Sequence, residues 1–247
     1  IFNTLNIVPE IFDFGLIKYN SNLSNDCDLK NKTIIEKIGS YSCFTYSLEE
    51  LFDEDLLQHF EFNINKRKFT LTYVLNIIVK IVDCIRLLHS ELIVHRDIKL
   101  NNFVLKNNSV KIIDFGLSTM YPDQTSHPFF GRLAGFKVGT KDYMAPELKS
   151  KSNNNVEPQL NINHESNNYF TYQSKADVYA IGITLQRILK SYNKQESNNK
   201  KNNTNNKKNN TNNKKISGLN QLIDSMLVTN PLSRSDMKTI HKKLLKL

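Results

Sequence analysis

Residues 93–105, IVHRDIKLNNFVL, place a histidine, an arginine, an aspartate, a lysine and two asparagines between apolar flanks. These residue types are chemically able. A carboxylate takes a proton from a hydroxyl, an ammonium group offsets negative charge that builds up beside it, and carboxylate and amide oxygens are the hard ligands that magnesium takes. Singly, each would also suit a solvated turn or a surface charge. The fixed order H-R-D-x-K-x-x-N, followed closely by VKIIDFG, is harder to explain that way.

Such groups need elements to hold them. Leu71, Val74, Leu75, Ile78, Ile81, Val82, Ile85 and Leu88 recur at helical spacing, which predicts a long amphipathic helix ending near His89. The polar motif then lies just beyond a helix end. FVLK and VKII are short apolar runs joined by Asn107-Asn108, residues that tolerate the positive φ of a tight turn, so a hairpin should present the motif on one side and DFG on the other. Upstream, residues 7–19 and 33–38 read as strands, and SLEELFDEDLLQHF, from Ser47, as a short acidic helix. Downstream, SKADVYAIGITLQRIL reads as a buried helix, and the last segment as two helices separated by TNPLSR. Strands first and helices after them predict a segregated α+β fold.

Composition narrows the classes. At 247 residues with 39% hydrophobic content, the chain suffices for a sizeable core in one domain or two lobes. Six of the nine net positive charges fall within residues 193–215, a tract of eleven asparagines, seven lysines and one glutamate. Without apolar side chains such a tract is expected to stay unstructured, and without interleaved aromatics it does not suggest nucleic-acid recognition. A second low-complexity stretch near 150–171 reads the same way. Cys27, Cys43 and Cys84 lack metal or disulfide spacing, which points to an intracellular, cytoplasmic or nuclear setting. The most apolar stretch, YVLNIIVKIVDCIRLL, is interrupted by Asn76, Lys80, Asp83 and Arg86, so no membrane partner is expected.

HRDIKLNN resembles the catalytic loop of eukaryotic protein kinases, DFG at 114–116 their metal-binding turn, and GTKDYMAPE at 139–147 the end of their activation segment. DVYAIGI and the Arg234 of NPLSRSD fit the same family further on. The resemblance implies a two-lobed kinase-like α+β fold that transfers the γ-phosphoryl group of ATP to serine or threonine hydroxyls of protein substrates, with ATP and Mg2+ as cofactors. It implies Asp97 as the base, Lys99 beside the transferring phosphate, Asn102 and Asp114 as metal and cofactor ligands, and Gly116 as the residue that lets the chain turn at the metal. Thr140 would contact Asp97. Arg96 would serve regulation by pairing with a phosphate on Ser118, Thr119, Thr125 or Ser126. Glu147 and Arg234 would form a structural ion pair. Asp177 would either close a capping box begun by Ser174 or accept backbone N–H bonds under the catalytic loop.

SLEELF, RKFTL and NNF resemble the casein kinase I family more narrowly, whereas APE departs from its usual pattern and Leu100 stands where kinases commonly have proline. The glycine-rich loop, strand lysine and helix glutamate of kinases cannot be placed. Residues 1–46 are therefore expected to be a remnant of the small β lobe and residues 47–247 the mainly helical C-lobe, a chain that is incomplete and inactive as it stands. A pseudokinase that scaffolds partners is the alternative reading, and a basic nucleic-acid-binding protein a more distant one.

Overall fold

The computed structural model describes residues 6–20, 41–62, 69–121, 138–149, 169–200 and 209–247. Two compact units are present: Pro9–Leu51, and the rest of the chain with Ile1–Val8.

In the smaller unit, strand β1 (Ile11–Asn20) runs antiparallel to β2 (Tyr41–Glu49), with Ile17 opposite Phe44 and an irregularity between Ile11 and Asp13. The strand read over 7–19 thus starts later. Ile7 belongs to the larger unit, where its carbonyl accepts from Ile112 N at 2.8 Å. The strand read over 33–38 lies outside the described residues. The helix expected from Ser47 is corrected: Ser47, Leu48 and Glu49 end β2, opposite Phe14, Asp13 and Ile11. Local helix propensity lost there to strand pairing with residues far back in sequence.

In the larger unit, Glu54–Asp55 forms β3, followed by a π-type turn at Gln58–Phe62. Helix α1 (Leu71–Ser90) begins where Thr70 Oγ1 accepts from Tyr73 N at 3.2 Å, a cap worth about 1 kcal/mol. Its apolar stripe, including Val74, Ile78, Ile81 and Ile85, is fully buried. Beyond it, β4 (Ile93–Val94) pairs with β7 (Thr119–Met120), while β5 (Phe103–Lys106) and β6 (Ser109–Ile112) form the hairpin. β3 joins β5 on the outer side. Asn107 and Asn108, at φ 48° and 63°, make the two-residue turn between them; both positive values match the twist of the flanking strands.

The remaining helices are α2 (Pro146–Lys149), α3 (Tyr169–Lys200), α4 (Asn209–Met226) and α5 (Met237–Leu244). The buried stretch of α3 carries Val178, Ile181, Leu185, Ile188 and Leu189 into the core beside α1. The tract expected to be unstructured gives way at both ends, because residues 193–200 extend α3 and 209–215 open α4, whereas 201–208 lie outside the described residues. Gln195 explains part of this: it is buried, and its Oε1 accepts from Phe69 N at 2.9 Å, anchoring the extension of α3. Of the stretch near 150–171, residues 169–171 belong to α3 and the rest is outside the described residues. Among the described residues no helix is long and apolar enough to cross a membrane.

Candidate active site

The loop between β4 and β5 is held from below. Asp177, buried on α3, accepts from His95 N at 2.8 Å through Oδ2 and from Arg96 N at 2.9 Å through Oδ1, with His89 Nε2 3.0 Å from Oδ2. Arg96 has φ 67°, a left-handed conformation that an arginine keeps only when its surroundings impose it, and the two bonds from Asp177 do so. A capping role for Asp177 is corrected, since it lies well inside α3 rather than at its start, and Ser174 Oγ donates instead to Thr171 O.

His95 is fully buried beneath the loop. Its Nε2 lies 3.0 Å from the Ile113 carbonyl, which only a protonated nitrogen satisfies, and Nδ1 accepts from Asp97 N at 3.3 Å. Burial lowers its pKa, so the ring is neutral. The ring of Phe115 lies 5.1 Å from it, tilted, which couples DFG to the loop.

Asp97 is the hub. Oδ1 accepts from Thr140 N at 2.9 Å and from Thr140 Oγ1 at 2.7 Å. Oδ2 accepts from Lys99 Nζ at 2.6 Å and from Asn102 Nδ2 at 3.3 Å. Lys99 Nζ also donates to Thr140 Oγ1 at 3.1 Å. Burial pushes the carboxyl pKa up, but hydrogen bonds from Lys99 and Thr140 outweigh it and hold the group below the usual carboxylate range. The result is an ionised carboxylate in a fixed orientation, with an ammonium group beside one oxygen.

The fit to a hard cation rests on Asn102 and Asp114. Asn102 is buried and spends its amide nitrogen on Asp97 O at 2.8 Å, so the amide oxygen is the end that could meet a cation. Its own carbonyl accepts from Ile113 N at 2.9 Å, tying the loop to the residue before Asp114. Asp114 is exposed and its Oδ1 accepts a long bond, 3.4 Å, from Gly116 N. One carboxylate and one amide oxygen suit magnesium, which keeps several waters of its own. Gly116 lies in a turn that Ser118 N closes on Phe115 O at 3.0 Å, and the left-handed residue of this stretch is Asp114, at φ 66°.

Arg234 is fully buried, and all five of its N–H groups are engaged. Nη1 and Nη2 meet Glu147 Oε1 and Oε2 at 2.7 and 2.8 Å, and the others reach the carbonyls of Lys175, Val228 and Thr229. This bidentate pair fastens α2 to the chain leading into α5. Arg96 Nε donates to Leu117 O, and its guanidinium meets no carboxylate among the described residues. Of the hydroxyls read as modification sites, Ser118 donates to His95 O at 3.2 Å and Thr119 is buried, while Thr125 and Ser126 lie outside the described residues.

Gly139 was not singled out by its sequence, although it matters. It has φ 112°, and a Cβ there would stand 2.5 Å from Arg96 O. Its place directly before Thr140 in a motif was the available signal.

A family model described as protein kinase domain matches residues 26–245. A sequence of Acanthamoeba polyphaga mimivirus named as a serine/threonine-protein kinase is 32% identical over 181 residues, covering 71% of this chain and 57% of that protein. One of Drosophila melanogaster, named as mitogen-activated protein kinase kinase kinase 7-like, is 28% identical over 264 positions, 98% of this chain and 60% of that protein. The dual specificity protein kinase zak2 of Dictyostelium discoideum is 29% identical over 165 residues, 65% of this chain and 23% of that protein. The chain spans less than two thirds of the length of each.

Proposed function

The chain belongs to the protein kinase domain family, and from that membership we propose that it serves ATP-dependent transfer of the γ-phosphoryl group to serine or threonine hydroxyls of proteins. The observation that carries the reading is the grip of Thr140 and Lys99 on Asp97. A carboxylate that is kept ionised and oriented beside an ammonium group suits an acceptor hydroxyl better than any structural task.

In this reading Asp97 Oδ2 takes the acceptor proton as the hydroxyl oxygen bonds to the γ-phosphorus and the bond to the β-phosphate oxygen breaks, releasing ADP. Lys99 Nζ, with two of its three N–H groups on Asp97 and Thr140, turns the third to the transferring phosphoryl oxygens. Asp114 and Asn102 would hold Mg2+, which when bound offsets the charge of the phosphates. Positioning supplies most of the rate in such transfers, which is why the scaffold of Asp177, His95 and Gly139 beneath the loop matters. Lysine two residues after the aspartate, with Thr140 bonded to both, supports serine/threonine over tyrosine acceptors. The casein kinase I likeness of residues 47–52, 67–71 and 101–103 belongs to this proposal on sequence grounds alone. Arg96, half-buried and without a carboxylate partner among the described residues, is proposed to receive a phosphate on Thr125 or Ser126.

The test is to incubate the full-length protein with ATP, Mg2+ and a mixed peptide library, then locate the phosphate by mass spectrometry. Phosphoserine and phosphothreonine are expected. Phosphotyrosine alone, or nucleotide binding without any transfer, would overturn the reading.

A further inference from the structure

One set of contacts ties the interior of α3 to the acceptor side of the site. Arg187, further along α3 than Asp177, donates from Nη1 to the Tyr143 hydroxyl at 3.0 Å, and its guanidinium carbon lies 4.6 Å from the centre of the Tyr143 ring. Both the face and the edge of the tyrosine are therefore held by one side chain. Glu61 and Asp142 stand 3.9 and 3.7 Å away, beyond hydrogen-bond range, so the phenol is the close partner of this cation.

Tyr143 closes a turn. Its ring is buried, its N–H donates to Thr140 O at 2.9 Å, and Met144 N reaches the same carbonyl at 3.1 Å. The first residue of that turn is the one whose N–H and hydroxyl grip Asp97. A continuous series of contacts runs from Arg187 through Tyr143 and Thr140 to the Asp97 carboxylate. Each link is a short directional contact, and the Tyr143 phenol is also held by the Leu100 backbone.

We propose that Arg187 is a positioning residue for the acceptor side of the site, acting through Tyr143 and the 140–143 turn to set the orientation of Asp97 and Lys99. The proposal rests on the protein kinase reading and adds a residue that no motif marks. Its kinetic signature is selective. A peptide hydroxyl is presented at one angle and needs Asp97 in one orientation, whereas water, small and free to turn, accepts a phosphoryl group from a looser site.

The test compares Arg187→Ala, Arg187→Lys and Tyr143→Phe with the wild type in the full-length protein, by two measurements. Amide hydrogen exchange at Thr140 should quicken about tenfold in Arg187→Ala and Tyr143→Phe while amides inside α1 keep their wild-type rates. The ratio of peptide phosphorylation to ATP hydrolysis should fall about tenfold, with the KM for ATP unchanged, and Arg187→Lys, which keeps a cationic donor, should recover part of both effects. Unchanged exchange at Thr140, or an equal decline of transfer to peptide and to water, would overturn the proposal. If the wild type transfers no phosphate, the kinase reading fails, and the exchange rates still decide whether Arg187 holds the turn.

Discussion

Thr140 gives both its backbone N–H and its hydroxyl to a single oxygen of Asp97, at 2.9 and 2.7 Å, across 43 positions of chain. The other oxygen of Asp97 is left to Lys99 and Asn102. The activation-segment motif and the catalytic-loop motif thus meet on one carboxylate, and the behaviour expected of the protein follows from how that meeting is held.

The turn before Thr140 should tolerate no side chain. Gly139→Ala adds a Cβ 2.5 Å from Arg96 O on a backbone at φ 112°, a left-handed strain costing about 1–3 kcal/mol. Urea denaturation should show that loss. An unchanged midpoint would mean that the loop relaxes at no cost.

Breaking the buried pair should hurt more. Glu147→Ala leaves the guanidinium of Arg234 buried without its carboxylate, and loss of one partner of such a pair costs about 3–5 kcal/mol. Replacing both, as Glu147→Leu with Arg234→Met, should cost less than the two single changes added. Strict additivity in thermal melts would contradict the coupling.

His95 should make stability depend on pH. Its pKa is lowered in the folded protein, by burial first, so below the ordinary value of 6.5 the unfolded chain binds a proton that the folded one refuses. Stability from this group is full above pH 6.5 and declines as pH falls towards the folded value, by up to about 1.4 kcal/mol per pH unit. His95→Gln should flatten the slope between pH 7 and 5 in urea titrations, and an identical slope would assign the dependence to other groups.

Asp114→Asn keeps a residue that tolerates the left-handed φ of 66° and removes the charge. Calorimetry should find binding of ATP with Mg2+ weakened about tenfold or more, with metal-free ATP bound as before. Equal weakening in both conditions would make Asp114 a structural residue.

What the sequence disclosed depended on distance along the chain. The α1 stripe, the Asn107-Asn108 turn and the two terminal helices are local patterns, and all three stand in the structure. The loop from His95 to Asn102 was legible because its groups are contiguous. Ser47–Glu49 was misread because the partner strand lies far back in the sequence, and the helix end at 193–200 because composition cannot see Gln195 reaching Phe69. Arg187 was invisible for the same reason, since its importance lies in Tyr143, which only the fold brings near it; Gly139 stood in a motif, but its closeness to Arg96 is likewise a product of the fold.

The most direct test of the account is phosphoryl transfer from radiolabelled ATP to a serine peptide by the full-length protein and its Asp97→Asn variant, assayed side by side. The amide preserves shape and the Thr140 contact to one oxygen but cannot take the acceptor proton. The wild type should transfer phosphate, and the variant should be slower by about 10²–10⁴ while retaining cooperative unfolding and nucleotide binding. Transfer by the variant at the wild-type rate would contradict the account.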